Sequence, residues 1–122
     1  MKPSFTGRVR AEWLSDGRTM RLLEDVSFLD SYGVRWPAYA GDEVDGASIP
    51  RFLWRAAGSP FVGKYRRASV IHDVWCRNQA RDSADVHEMF FEAMRADGVR
   101  YLQAFFFWLA VRLFGPRFKG VT

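Results

Sequence analysis

The chain has 122 residues, 48% of them hydrophobic and 26% charged, the size and balance of one globular unit with a core of its own. Five Trp, four Tyr and eleven Phe make 16% of it, far too many aromatics for a disordered segment. Eighteen Lys and Arg against fourteen Asp and Glu leave a formal charge of +4, spread without a block of like charges, so there is no strong nucleic-acid signal.

The only cysteine, Cys76, excludes an internal disulfide framework and a cysteine-cluster zinc site, and it fits a reducing compartment. The N-terminal MKPSFTGRVRAEW has basic residues but no apolar run, so no secretory signal is expected and a cytoplasmic start is.

Strands are expected first. From Phe5 to Trp13 apolar or small residues at odd positions alternate with Thr6, Arg8, Arg10 and Glu12, the period of a half-buried strand. Asp16-Gly17 is a turn signal and Thr19 to Leu23 a second strand, so residues 5–23 read as a hairpin. Val26 to Leu29 and Gly33 to Trp36 follow as short strands, the last ended by Pro37. The segment GDEVDGASIP, Gly41 to Pro50, reads as a structured loop.

Helices fill the rest. Pro50 suits the first turn of a short helix through Ala57, which Gly58-Ser59-Pro60 stops. Lys64 to Gln79 places Tyr65, Ala68, Ile71, His72, Trp75 and Cys76 on one face. A third helix runs from Asp82 or Ser83 to Asp97, with Gly98 as its stop. Tyr101 to Phe114, YLQAFFFWLAVRLF, is the most apolar stretch, yet fourteen residues rise about 21 Å, short of the roughly 30 Å a bilayer core needs. It is not transmembrane. Either it is buried nearly all round, which the need of a small domain for a central helix favours, or it presents Phe105, Phe106, Trp108 and Leu109 to a partner or a lipid interface. The whole predicts one α+β domain, residues 1–122, with a small antiparallel sheet (strand-rich 5–47) packed on three to four helices (48–116).

Chemistry concentrates around His72-Asp73 and Asp85. A short connection makes the second and third helices antiparallel neighbours, so an imidazole on one can meet a carboxylate from the other. An Asp85–His72 pair fixes the tautomer and leaves the second nitrogen to deprotonate water. Asp73, pointing elsewhere, is then free to hold calcium or another divalent cation with Asp45 or Asp42, and Ser48, Trp54 and Trp75 are the candidates for binding substrate. The bland alternative makes His72 a satisfied core residue, Asp85 a helix-start carboxylate and Asp42 and Asp45 turn formers. His87 is expected on the solvated side of its helix. A Cys76–His72 nucleophile is disfavoured, because a thiol in an apolar stripe carries little thiolate.

The segments DGASIPRFLW (Asp45 to Trp54), YRRASVIHD (Tyr65 to Asp73), Ala84-Asp85 with FEAMRADG (Phe91 to Gly98), and AVRLFGP (Ala110 to Pro116) resemble the phage and prophage family termed domain of unknown function 1353. That resemblance implies a phage or prophage origin, with residence in the bacterial host cytoplasm or the virion, and no assigned activity. The His72-Asp73 pair also resembles the His-Asp helix of parvoviral-type phospholipases, which implies His72 as base, Asp73 as calcium ligand and Asp85 as orienting carboxylate. Trp75 or Cys76 stands where those enzymes carry a Tyr. Two functions follow as expectations. One is a small hydrolase-like protein with a His72/Asp85 site, metal-dependent and phospholipase-like. The other is a non-catalytic virion or assembly component, or a modulator of a host protein, that keeps the His-Asp pair as structure and meets a phage or host protein through the Tyr101–Phe114 helix.

Overall fold

A computed structural model describes residues 2–57 and 63–120. Among these residues six short strands and four α-helices follow one another: β1 Ser4–Thr6, β2 Ala11–Trp13, β3 Met20–Leu22, β4 Val26–Leu29, β5 Arg35–Ala38, β6 Glu43–Val44, α1 Arg51–Ala57, α2 Arg66–Asn78, α3 Ser83–Ala96 and α4 Tyr101–Phe114. The fold class is α+β, as the switch from alternating to helical periodicity near residue 48 predicts.

The strands form two antiparallel sheets of three, in the orders β1-β4-β5 and β2-β3-β6. The predicted strand over Phe5 to Trp13 is therefore broken. Gly7 adopts φ +89, and a Cβ there would lie 2.7 Å from the Asp25 carbonyl oxygen, so only glycine permits the chain to turn from one sheet into the other. Beyond the break the hairpin forms as expected, with Ala11 opposite Leu22 and Trp13 opposite Met20. Asp16 closes its turn, accepting from the Arg18 and Thr19 amides and the Thr19 hydroxyl. Pro37 does not end β5. That strand lies at the edge of its sheet, where a residue without N–H leaves no ladder bond unmade. The loop Gly41 to Pro50 contributes β6, whose Glu43 and Val44 pair with Arg21 and Met20.

Helix α2 is the centre of the molecule. It packs on β4, β5 and β6 and on α3, and α4 packs in turn on α3. Packed in this way, α2 buries nine consecutive residues, Ala68 to Cys76, where a single apolar stripe was expected. The polar residues Ser69, His72 and Asp73 are thereby carried into the core with the apolar ones. The helix ends at Gln79 in a left-handed conformation, while Gly98 (φ +88) ends α3 as predicted. The predicted stop of α1 at Gly58-Ser59-Pro60 lies outside the described residues.

Helix α4 is not buried all round. Only Ala104, Phe107, Ala110 and Val111 are sealed, a stripe one residue wide per turn. Tyr101, Leu102, Phe106, Leu113 and Phe114 stay exposed. The four sealed residues join the core, but α4 is not the central helix that so small a chain was expected to need, and of the residues expected to face outward Phe105 and Phe106 are exposed while Trp108 and Leu109 are half-buried.

Candidate functional site

The site is best built outward from His72, which is fully buried. Its ring stacks on Phe90 of α3 at 4.3 Å between centroids, and both nitrogens have partners. Nδ1 lies 3.2 Å from the Ser48 hydroxyl and Nε2 lies 2.9 Å from Nδ1 of His87. The outer nitrogen of His87, Nε2, lies 3.0 Å from the Pro116 carbonyl. A carbonyl only accepts, so Nε2 of His87 carries the hydrogen and its Nδ1 accepts. Neutral rings then order the whole row. The Ser48 hydroxyl donates to His72, His72 donates to His87, and His87 donates to Pro116.

Asp73 anchors a second row. Its carboxylate accepts from the Asp45 amide at 3.0 Å and the Ser48 amide at 3.4 Å, so the buried side chain holds the loop that brings Ser48 to His72. Asp45 turns its own carboxylate outward, accepting from the Ala47 amide and pairing with Arg77 at 3.6 Å. The two acids are neighbours, but the oxygens of Asp73 are committed to loop amides. The sequence expectation had left this carboxylate free for a cation. The packing around α2 leaves it 1% exposed.

Asp85 is not among the partners of His72. It is exposed and lines a cleft of about 320 Å³ with Asp30, Arg81 and Glu88. The place expected for it is taken by His87, predicted to be solvated and in fact 2% exposed. The cause is the chain after α4. Pro116 reaches His87, Phe118 exchanges hydrogen bonds with Ser83 through its amide and carbonyl, and the Gly120 amide donates to Asp82 at 2.7 Å. This strap covers the start of α3. It also takes the Asp82 side chain, so Asp82 makes no side-chain cap to α3. Helical periodicity within α3 carries no trace of a strap contributed from residues 116–120, so the burial of His87 leaves no signal in the sequence around it.

Ser48 is buried at the centre of both rows. Trp75 donates its indole N–H to the Pro37 carbonyl at 3.1 Å and meets Trp36 edge-on, with the Arg81 guanidinium about 4 Å over both rings. Trp54 is half-buried, and its indole nitrogen has no hydrogen-bond partner among the described residues.

Electrostatics follow burial. Loss of water holds His72 well below the usual imidazole value, and neighbouring His87 adds to it. His87 is also lowered, by burial, with the Pro116 carbonyl partly opposing. Burial raises Asp73 against the hydrogen bonds it accepts. The Cys76 thiol is pushed up to about 12 by burial and by Asp73, which removes it as a nucleophile. Cys76 Sγ lies 3.6 Å from Nε2 of His72, and His72, Cys76 and His87 are the one group of metal-ligand type found among the described residues.

The chain matches the family described as "Protein of unknown function (DUF1353)" over residues 20–111, and it belongs to that family. It is 45% identical over 95 residues to "Uncharacterized protein y4jT" of Sinorhizobium fredii (strain NBRC 101917 / NGR234), a match that covers 78% of this chain and 28% of the relative. It is 36% identical over 114 residues to "Uncharacterized protein y4iH" of the same strain, covering 93% of this chain and 48% of the relative. The chain thus spans less than half the length of either relative. No solved structure matches it.

Proposed function

We propose that this member of a family of unknown function is a non-catalytic interaction module, one domain over residues 1–122, and that its His-Asp pair is structural. The observation that carries the reading is the depth of that pair. His72 is 0% and Asp73 1% exposed, every hydrogen-bonding atom named on them has a protein partner, and Asp85 stands apart. A general base must come within about 3 Å of the proton it takes, and no substrate reaches His72 through this packing. What the pair does instead is tie the loop Asp45–Ser48 to α2 and α3.

The working surface in this reading is the outer side of α4. A groove of about 620 Å³ runs between it and α1, lined by Phe52, Leu53, Tyr65, Phe106, Leu113 and Phe114 among others. Exposed aromatics gathered in one groove are the composition of a protein-binding hot spot. Among the described residues the groove is lined by no Lys or Arg, so the groove itself offers no cation to a lipid headgroup. The partner is therefore a protein with an apolar, helix-sized ridge. The phage or prophage setting that the family resemblance implies makes it a virion, assembly or host protein.

The test has two arms. Phospholipid vesicles incubated with calcium and the protein are expected to release no fatty acid. Release that disappears in His72→Ala would restore the hydrolase. In co-sedimentation, the protein is expected to stay in the supernatant of neutral and anionic vesicles. Binding that is lost in Phe106→Asp with Phe114→Asp would replace the protein partner by a lipid surface.

A further inference from the structure

His72 and Cys76 stand four residues apart on α2, so both side chains project from the same face of the helix. His87 meets them from α3, and one ligand atom from each of the three lies within 4.8 Å of the others. Two imidazoles and a thiol are the donors that select a borderline-soft ion over calcium or magnesium. We propose that His72 Nε2, Cys76 Sγ and His87 Nδ1 form a binding site for a single zinc-type divalent ion.

The spacing suits that ion. Tetrahedral zinc, with Zn–N of about 2.0–2.1 Å and Zn–S of about 2.3 Å, sets two nitrogens about 3.3 Å apart and a nitrogen and sulfur about 3.5 Å apart. Here Sγ and Nε2 are 3.6 Å apart, already at that value. The two nitrogens are 2.9 Å apart and need to separate by only a few tenths of an ångström.

The outer contacts are those of a metal centre as well. Ligating histidines are oriented by a carbonyl, carboxylate or water on the far nitrogen. His87 presents its far nitrogen to Pro116 O, which leaves Nδ1 unprotonated and facing the site. His72 presents its far nitrogen to the Ser48 hydroxyl, and Ser48 also reaches Asp73 with its side chain. Binding the ion moves the His72 hydrogen from Nε2 to Nδ1, where it is donated to Ser48 Oγ. The Ser48 hydrogen then turns from His72 to the Asp73 carboxylate. Cys76 loses its proton to solvent as the metal–sulfur bond forms, so one proton leaves per ion and both histidines stay neutral.

Three protein ligands leave a fourth position. His87 also lines a cleft of about 560 Å³ together with Ser83, Arg112, Arg117 and Lys119. His87 is the ligand that borders this cleft, and its cationic walls suit a water or small anion as fourth ligand. The ion would lock the same loop and strap that the hydrogen-bond row holds without it, so the site extends the structural reading and does not require catalysis.

Cobalt(II) is the probe. Reduced, chelator-treated protein titrated with Co²⁺ is expected to bind one ion, with visible absorption of tetrahedral intensity and a near-ultraviolet sulfur-to-cobalt band. Cys76→Ser should lose the sulfur band and keep its far-ultraviolet circular dichroism. Ser48→Ala, which leaves all three ligands in place and removes the hydroxyl behind His72, should weaken binding by about 10–100-fold. Stoichiometric Zn²⁺ should raise the melting temperature of the wild type and displace the cobalt. Absence of Co²⁺ binding by the wild type overturns the site, as does binding that Cys76→Ser and His87→Gln leave unchanged. Neither result touches the vesicle assays, so a failed metal site and a failed non-catalytic reading are told apart.

Discussion

Asp73 sits on α2 and Phe106 on α4, and the first is 1% exposed while the second is 61% exposed. The region around α2 hides the residues with chemistry in them, and α4 shows the residues a core normally hides. The difference lies in what covers each helix. Helix α2 has strands of both sheets and α3 packed on it, so any polar group buried on it must find a protein partner or cost stability. Helix α4 seals only Ala104, Phe107, Ala110 and Val111, and Phe106 and Phe114 stay exposed beside its contacts with α1 and α3. The inner region is thus held in fixed geometry, and the outer face of α4 is the one we propose for contact.

Substitutions should separate the two regions sharply. The largest effect is expected from Asp73→Ala, which strands the Asp45 and Ser48 amides in a buried loop. A loss of about 3 kcal/mol in urea-unfolding free energy is expected. A change below about 1 kcal/mol would mean the loop is held by something other than Asp73.

Acidity attacks the same region through the histidines. In the folded metal-free protein both rings sit below the ordinary value of 6.5, whereas the unfolded chain takes up protons there. Their contribution is therefore complete above pH 6.5 and is lost as pH falls below it, by up to about 1.4 kcal/mol per pH unit for each ring. Asp73, raised above 3.8, acts with the opposite sign further into acid, since its folded form holds a proton that the unfolded form releases. Urea midpoints should fall between pH 7 and pH 5.5, and His87→Gln should flatten the slope. A slope unchanged in that variant would remove His87 from the buried row.

A smaller effect should have the opposite direction. Ser69 is fully buried and its hydroxyl has no partner among the described residues. Ser69→Ala removes an orphaned group and improves helix propensity, so a gain of about 0.5–1 kcal/mol is expected. A loss would reveal a hydrogen bond at that hydroxyl.

The sequence was legible wherever one element decides its own residues. Asp16-Gly17 closes its hairpin, Gly98 ends α3, and His72 and Cys76 lie on one packed face, all from local spacing. It was misleading where a distant segment decides. Gly7 breaks a clean alternation because Asp25 passes close to it, and Pro37 survives in β5 because that strand is an edge. His87 is buried by the strap after α4, and Asp73 is buried because strands of both sheets and α3 pack on α2. Period counting sees one face of a helix at a time, so it predicted Asp85 where the tertiary fold supplies His87. The single-cysteine argument removed cysteine-cluster zinc sites, and it left open a mixed site with two histidines.

The central claim is that His72 belongs to the structure and the outer face of α4 does not. The most direct measurement is the urea-unfolding free energy of His72→Ala beside that of Phe106→Ser. The expected result is a loss of about 1–3 kcal/mol for His72→Ala, which leaves Ser48 and His87 without their partner, and a change within about 0.5 kcal/mol for Phe106→Ser. Equal losses, or a larger one at Phe106, would contradict the account.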